Sequence, residues 1–143
     1  MTIFLMPTSM PISTNKIATQ LEHIIEKTKT HDILPTTSLL ELLHTRTVYL
    51  AVENQKETVG IIATNTQTGD IELLCIHPDH QNKGLGKTLL TKTIAPYSRT
   101  DYTFAAFNTV IPYTNTRTIN LFKKHNFIET DRSPIHIKLT RSI

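Results

Sequence analysis

The sequence predicts an α/β domain: a mixed, mostly antiparallel sheet with one splayed parallel pair of strands, flanked by helices. Three observations carry that expectation. Residues Thr47–Glu53, Thr58–Thr64 and Ile71–Ile76 read as strands joined by short polar turns, and such connections make an antiparallel meander. The Ile71 strand leaves through His77-Pro78-Asp79 into a glycine-bearing turn and then a helix. A later strand, Tyr102–Asn108, is reached through that helix and therefore runs parallel to the Ile71 strand. Parallel strands that separate at their C-terminal ends leave a crevice, which is where ligands of α/β sheets lie. The meander also argues against a doubly wound nucleotide-binding fold, whose strands need helical crossovers.

The elements follow in order. Ile3–Met6 is a short apolar run suited to a first edge strand. Ser13 or Thr14 can cap a helix that presents Ile17, Leu21, Ile24 and Ile25 on one face. After Pro35, Ser38-x-x-Glu41 has the spacing of a capping box ahead of Leu39, Leu40, Leu42 and Leu43, which predicts a second short helix. Both apolar faces read as core. The helix after Gly84 turns Leu85, Leu89, Leu90 and Ile94 inward and stops at Pro96. Beyond Ile111-Pro112-Tyr113, a helix from about Asn115 to His125 is capped by Thr114 or Asn115, and Asn126 stands where a left-handed terminating residue belongs. Phe127–Thr130 and Ile135–Arg141 close the chain as two strands.

Composition narrows the class. A chain of 143 residues is one domain, 1–143, large enough to bury its own core. It is 38% hydrophobic and 19% charged, as soluble globular chains are. No run of about eighteen apolar residues occurs, so no membrane span is expected. The opening MTIFLMPTSM lacks the basic and apolar parts of a signal peptide. One cysteine excludes an internal disulfide and fits a reducing, cytoplasmic location. The net charge of +3 is scattered, without an arginine-rich stripe or aromatic interleaving, so no nucleic-acid partner is expected. Part of that charge suits an anionic cofactor.

The chemistry is expected in the turn Gln81-Asn82-Lys83-Gly84-Leu85-Gly86. A strand that feeds a glycine-bearing turn into a helix start is a site for phosphate. Backbone can approach closely, first-turn amides lack partners, and the helix dipole favours an anion. Lys83 and Lys87 add positive charge there. Gly86-Lys87-Thr88 resembles the end of a P-loop, but Gln81 stands where that motif needs its first glycine. A dinucleotide fingerprint needs a third glycine, and Lys87 follows Gly86 instead. His77 and His80 beside Cys75 lack a second ligand pair, so no metal is expected. Cys75 lies in a strand with no evident base, and reads as an inert thiol rather than a nucleophile.

Two segments resemble the GNAT superfamily of N-acetyltransferases. Gln81-Asn82-Lys83-Gly84-Leu85-Gly86 matches that family's acyl-CoA turn, Gln/Arg-x-x-Gly-x-Gly/Ala, at every defined position, and its flanks are also similar. Asn115-Thr116-Arg117-Thr118-Ile119-Asn120-Leu121-Phe122-Lys123-Lys124-His125-Asn126-Phe127 is similar to Asn-x-x-Ala-x-x-Leu-Tyr-x-x-x-Gly-Phe. Asn115, Leu121 and Phe127 match, while Thr118, Phe122 and Asn126 replace alanine, tyrosine and glycine. The resemblance covers roughly 47–141 and implies the acyl-CoA N-acyltransferase (GNAT) fold.

It further implies that an acceptor amine attacks the thioester of acetyl-CoA directly, with no acyl-enzyme. By position, the backbones of Leu74, Cys75 and Ile76 would pair with the pantetheine arm. An amide near Cys75 or Ile76 would donate to the thioester oxygen. The amides of Gln81, Asn82, Lys83, Gly84, Leu85, Gly86 and Lys87 would hold the diphosphate, and Asn115 would reach the cofactor from the last helix. Glu72 is the first candidate for the base, with Asp70 in reserve; the competing reading of Glu72 is a surface carboxylate. A lysine amine, pKa about 10.4, needs a base more than an α-amine of about 7.7–8.0. Phe122 cannot protonate the departing sulfur, which leaves that role vacant, or to Tyr113 or a water. The implied partner is a small-molecule or peptide amine, and a homodimer is compatible with such families. The vacancy at Phe122 also admits a non-catalytic acyl-CoA-binding module, and a P-loop NTPase is a third class.

Overall fold

The computed structural model describes residues 1–6, 12–28, 38–95 and 104–143. In chain order the elements are β1 (Thr2–Leu5), α1 (Thr14–Thr28), α2 (Leu39–Thr45), β2 (Thr47–Glu53), β3 (Glu57–Asn65), β4 (Asp70–Ile76), a 3₁₀ turn (Pro78–His80), α3 (Leu85–Ile94), β5 (Ala106–Pro112), α4 (Thr116–Lys124), β6 (Ile128–Arg132) and β7 (His136–Ser142). The strands form one sheet in the order β1-β2-β3-β4-β5-β7-β6. Every pairing is antiparallel except β4 with β5.

Alternation along the strands divides the apolar side chains between two cores. Ile62, Ile71, Leu74, Phe107 and Leu139 pack on the face that receives α3 and α4 through Leu89, Leu90, Ile119 and Phe122. Leu50, Ile61, Leu73 and Cys75 turn to the opposite face, under Ile17, Leu21 and Ile24 of α1 and Leu42 and Leu43 of α2. Each such side chain contributes roughly 1.5–3 kcal/mol when fully buried. The starts of α1, α2 and α4 are fixed by side-chain caps. Ser13 Oγ accepts from the Lys16 amide, Ser38 Oγ from the Glu41 amide, and Asn115 Oδ1 from the Thr118 amide. Asn126 adopts φ 66°, closing α4 in the left-handed region as its position predicts.

The strand expected at Tyr102–Asn108 is displaced. It runs from Ala106 to Pro112; Phe104 and Ala105 precede it, and Tyr102 and Thr103 lie outside the described residues, as does the expected stop at Pro96. Burial sets the phase, because Phe107, Thr109 and Ile111 alternate inward. Pro112, at the end of this strand, is tolerated for a geometric reason. The Asn108 amide donates toward the start of β4 and the Tyr113 amide toward Ile135, just before β7. By alternation the position of Pro112 that lacks N–H faces β4, which has already diverged, so no ladder bond is lost. The remaining boundaries shift by a residue or two: β1 starts at Thr2, β3 at Glu57, β6 at Ile128 and β7 at His136.

Candidate functional site

β4 and β5 share a single register pair, Asp70 with Asn108. The Asn108 amide donates to the Gly69 carbonyl at 3.0 Å, and Thr109 Oγ1 donates to the Ile71 carbonyl at 3.3 Å. Beyond those bonds the strands separate. A bulge in β4 accompanies the divergence: Ala63 faces Leu73 and Thr64 faces Ile71, so Glu72 is the extra residue. The bulge takes Glu72 out of simple alternation with Leu74.

The gap opens into a cavity of about 620 Å³. Leu74 and Ile76 of β4 form one wall, and the turn contributes His80, Gln81, Asn82 and Gly84. Leu85, Gly86 and Lys87 of α3 close one side; Arg117, Thr118, Asn120, Leu121, Lys124 and His125 close the other. None of these described lining residues is acidic, and Lys87, Arg117 and Lys124 give the cavity a positive field.

The turn is shaped by two left-handed residues, Asn82 at φ 63° and Gly84 at φ 80°. Gly84 is the N-cap of α3 and no side chain caps that helix, so the amides of its first turn lack helical acceptors. The space beside Gly84 is open, since a Cβ built there meets nothing within 4 Å. An uncapped helix start with flanking cations and empty space in front of it fits a diphosphate.

Of the sequence-predicted residues, Leu74, Ile76, Gln81, Asn82, Gly84, Leu85, Gly86 and Lys87 line the cavity, whereas Lys83 is exposed on the turn and is not part of the lining. The His77 amide donates to the Val59 carbonyl, so by alternation the Leu74 and Ile76 main chains face the gap. By the same alternation the Cys75 main chain, expected to pair with a cofactor, is directed at Ile61 on β3. Its side chain is fully buried under α1 and α2. Asn115 is 2% exposed; its Oδ1 caps α4 and its Nδ2 has no hydrogen-bond partner. A buried donor left unmatched is costly unless a ligand satisfies it.

Glu72 is engaged by Arg46, whose Nε donates to Oε1 at 3.0 Å and Nη2 to Oε2 at 3.3 Å. Tyr113 lies just after β5, 51% exposed and outside the cavity lining. Phe122 is fully buried and packs edge-on against Phe127, ring centroids 4.9 Å apart. His80 pairs with Glu53 at 3.0 Å and His77 contacts Asp79 at 3.8 Å; among the described residues no group of three or more His, Cys, Asp or Glu is placed to hold a metal.

The sequence reading missed the α4 wall. Arg117, Leu121 and Lys124 recur at helical spacing and share a face. That periodicity was legible, but cationic residues interrupt it and it reads as a solvated surface. It also missed a tie across the cavity: Arg117 Nη1 donates to Gln81 Oε1 at 2.9 Å, while Gln81 Nε2 donates to the Ile76 carbonyl at 3.2 Å. No local pattern links positions 36 apart in sequence.

Comparison with known proteins gives the same architecture. The family model for the acetyltransferase (GNAT) domain matches residues 44–129. No curated protein matches the sequence. Solved structures with this fold include an acetyltransferase from Thermus thermophilus, at 19% identity, TM-score 0.70, covering 100% of this chain and 98% of that one. The ribosomal-protein-S18-alanine N-acetyltransferase from Escherichia coli aligns at 18% identity and TM-score 0.71, over 99% and 93% of the two chains. Arabidopsis thaliana NAA60, solved with acetyl-CoA, aligns at 14% identity and TM-score 0.75, over 99% of each. Among the described residues no helix is long and apolar enough to cross a membrane.

Proposed function

The chain belongs to the GNAT acetyltransferase family, and from that premise we propose that it transfers the acetyl group of acetyl-CoA directly to a primary amine. The observation that carries this reading is the pairing of a splayed β4–β5 gap with an uncapped, glycine-bearing helix start that opens into a cationic cavity. Acetyl-CoA, the co-substrate named for the Arabidopsis neighbour, supplies an activated acetyl group and a diphosphate. The first-turn amides of α3 take the diphosphate, with Lys87 as the adjacent cation. The outward main-chain groups of Leu74 and Ile76 extend the sheet along the pantetheine arm, and the Ile76 amide is the donor for the thioester oxygen. The unmatched Nδ2 of Asn115 is a donor for the cofactor. Residues 1–143 act as one domain, whose single sheet takes strands from Thr2 to Ser142.

Phe122 carries no hydroxyl, so the sulfur departs as a thiolate, pKa about 8.5, or takes a proton from Tyr113 or water. General acid assistance is worth about 10²–10⁴-fold. Tyr113→Phe separates the sources: a loss of about tenfold or more in kcat assigns the proton to Tyr113, and an unchanged kcat assigns it to solvent.

The test of the function is release of free CoA thiol from acetyl-CoA across a panel of amines, with product mass measured. An acetylated amine formed in step with thiol is the expected outcome. Tight binding of CoA without release on any amine would establish the binding-module reading, which Phe122 favours. Stabilisation by ATP and not by CoA would overturn both.

A further inference from the structure

Resting on the amine-acetylation reading above, we propose that the acceptor nitrogen is the α-amino group of a peptide rather than a lysine ε-amine or a polyamine, and that Arg46 sets this preference by occupying Glu72. The two strands that wall the gap carry few ionisable groups. β5, Ala106–Pro112, has none, and β4 has Asp70, Glu72 and the thiol of Cys75, which is buried under α1 and α2. Asp70 sits at the closed end, in the one pair that joins the strands, and accepts from Thr68 Oγ1 at 2.9 Å. On the other flank, β3 has only Glu57, at its far start. Glu72 is thus the carboxylate placed where the gap begins.

That carboxylate is committed. Arg46 meets it fork to fork, one bond to each oxygen, with both side chains about four-fifths buried, at 19% and 21% exposure. The guanidinium is itself fixed. Its Nη1 donates to Thr45 Oγ1 at 2.8 Å, and the Arg46 amide donates to the Leu42 carbonyl at 3.0 Å at the end of α2. The other ionisable residues of α2, Glu41 and His44, are exposed. With each of its oxygens bonded to Arg46, the carboxylate acts as a strut between the end of α2 and the β4 bulge.

Without a free base on these walls, the acceptor must arrive neutral. Its lone pair forms the C–N bond, the C–S bond breaks with its electrons going to sulfur, and the surplus proton passes from nitrogen to water. Near pH 7.5 roughly a third of peptide α-amines are neutral, against roughly one lysine amine in 800. Lysine's greater intrinsic nucleophilicity recovers part of that difference, which leaves an advantage of about tenfold or more.

The experiment measures thiol release with a lysine-free tripeptide amide and with an N-acetyl-lysine amide, each from about pH 6 to about pH 10. The expected kcat/KM favours the tripeptide by at least about tenfold near pH 7.5, each profile rising with its own amine's pKa. Arg46→Gln frees Glu72 and is expected to raise the lysine-to-tripeptide ratio at least about threefold, and R46Q/E72Q returns it. A ratio unmoved by Arg46→Gln overturns the part given to Arg46. If that variant fails to fold, the wild-type profiles still decide. Equal or faster lysine turnover overturns the inference and leaves the acetyltransferase reading standing. So does a limb at one pH common to both amines, the signature of a base on the protein rather than of either acceptor. Acetyl-CoA binding with no release on either amine or across the wider panel overturns that reading, and the inference with it.

Discussion

Lys87 stands in the first turn of α3, exposed at the cavity edge beside amides that lack acceptors. Its charge adds to a site that the backbone already provides, so Lys87→Ala is expected to weaken CoA binding by about three- to tenfold. The loss should shrink at high salt, as screening of an exposed charge requires. Calorimetric titration at two ionic strengths checks this. Phe122 behaves differently: fully buried against Phe127, it belongs to the core rather than the cavity lining, and Phe122→Ala is expected to cost about 3–5 kcal/mol in chemical denaturation. At this scale the turn was readable from sequence because glycine, lysine and a helix start are local signals. The Arg46–Glu72 pair was not, because alternation alone put Glu72 on the face of Leu74 and only the bulge brings it to a partner 26 residues away.

Among the elements, the closed end of the gap depends on the β3–β4 turn. Gly69 has φ 81°, and a Cβ there would collide with the Ala106 carbonyl oxygen. The left-handed conformation alone costs a non-glycine residue about 1–2 kcal/mol. Gly69→Ala is therefore expected to lower stability by more than about 2 kcal/mol and to loosen the start of β5, read as a lower denaturant midpoint with faster amide exchange at Asn108. β6 offers the opposite case. Arg132 hydrogen-bonds Glu129 on this exposed strand and thereby holds the Glu129 carboxyl below its ordinary range. A lowered folded-state pKa contributes stability above the unfolded value, lost as pH falls through the folded one. Because both groups are solvent-exposed, Arg132→Ala is expected to leave the thermal midpoint unchanged at neutral pH. The meander and the helices were legible from alternation and caps. The placement of β5 was misread because Pro112 signals a break locally, while its harmlessness depends on where β4 has gone.

For the whole molecule, the proposed binding of acetyl-CoA to the folded gap alone predicts that saturation at about 100 times Kd adds about 2.7 kcal/mol and raises the melting midpoint by about 10 °C, with no shift from ATP. The two cores on either face of the sheet respond to different perturbations, because the cavity borders the side of α3 and α4, whereas Cys75 lies beneath α1 and α2. That burial has a practical sequel. The chain has one cysteine and its sulfur is sealed from solvent, so an aromatic disulfide reagent added to the native protein registers only thiol liberated from the co-substrate. Slow colour that grows without substrate then counts how often the helical roof lifts from the sheet.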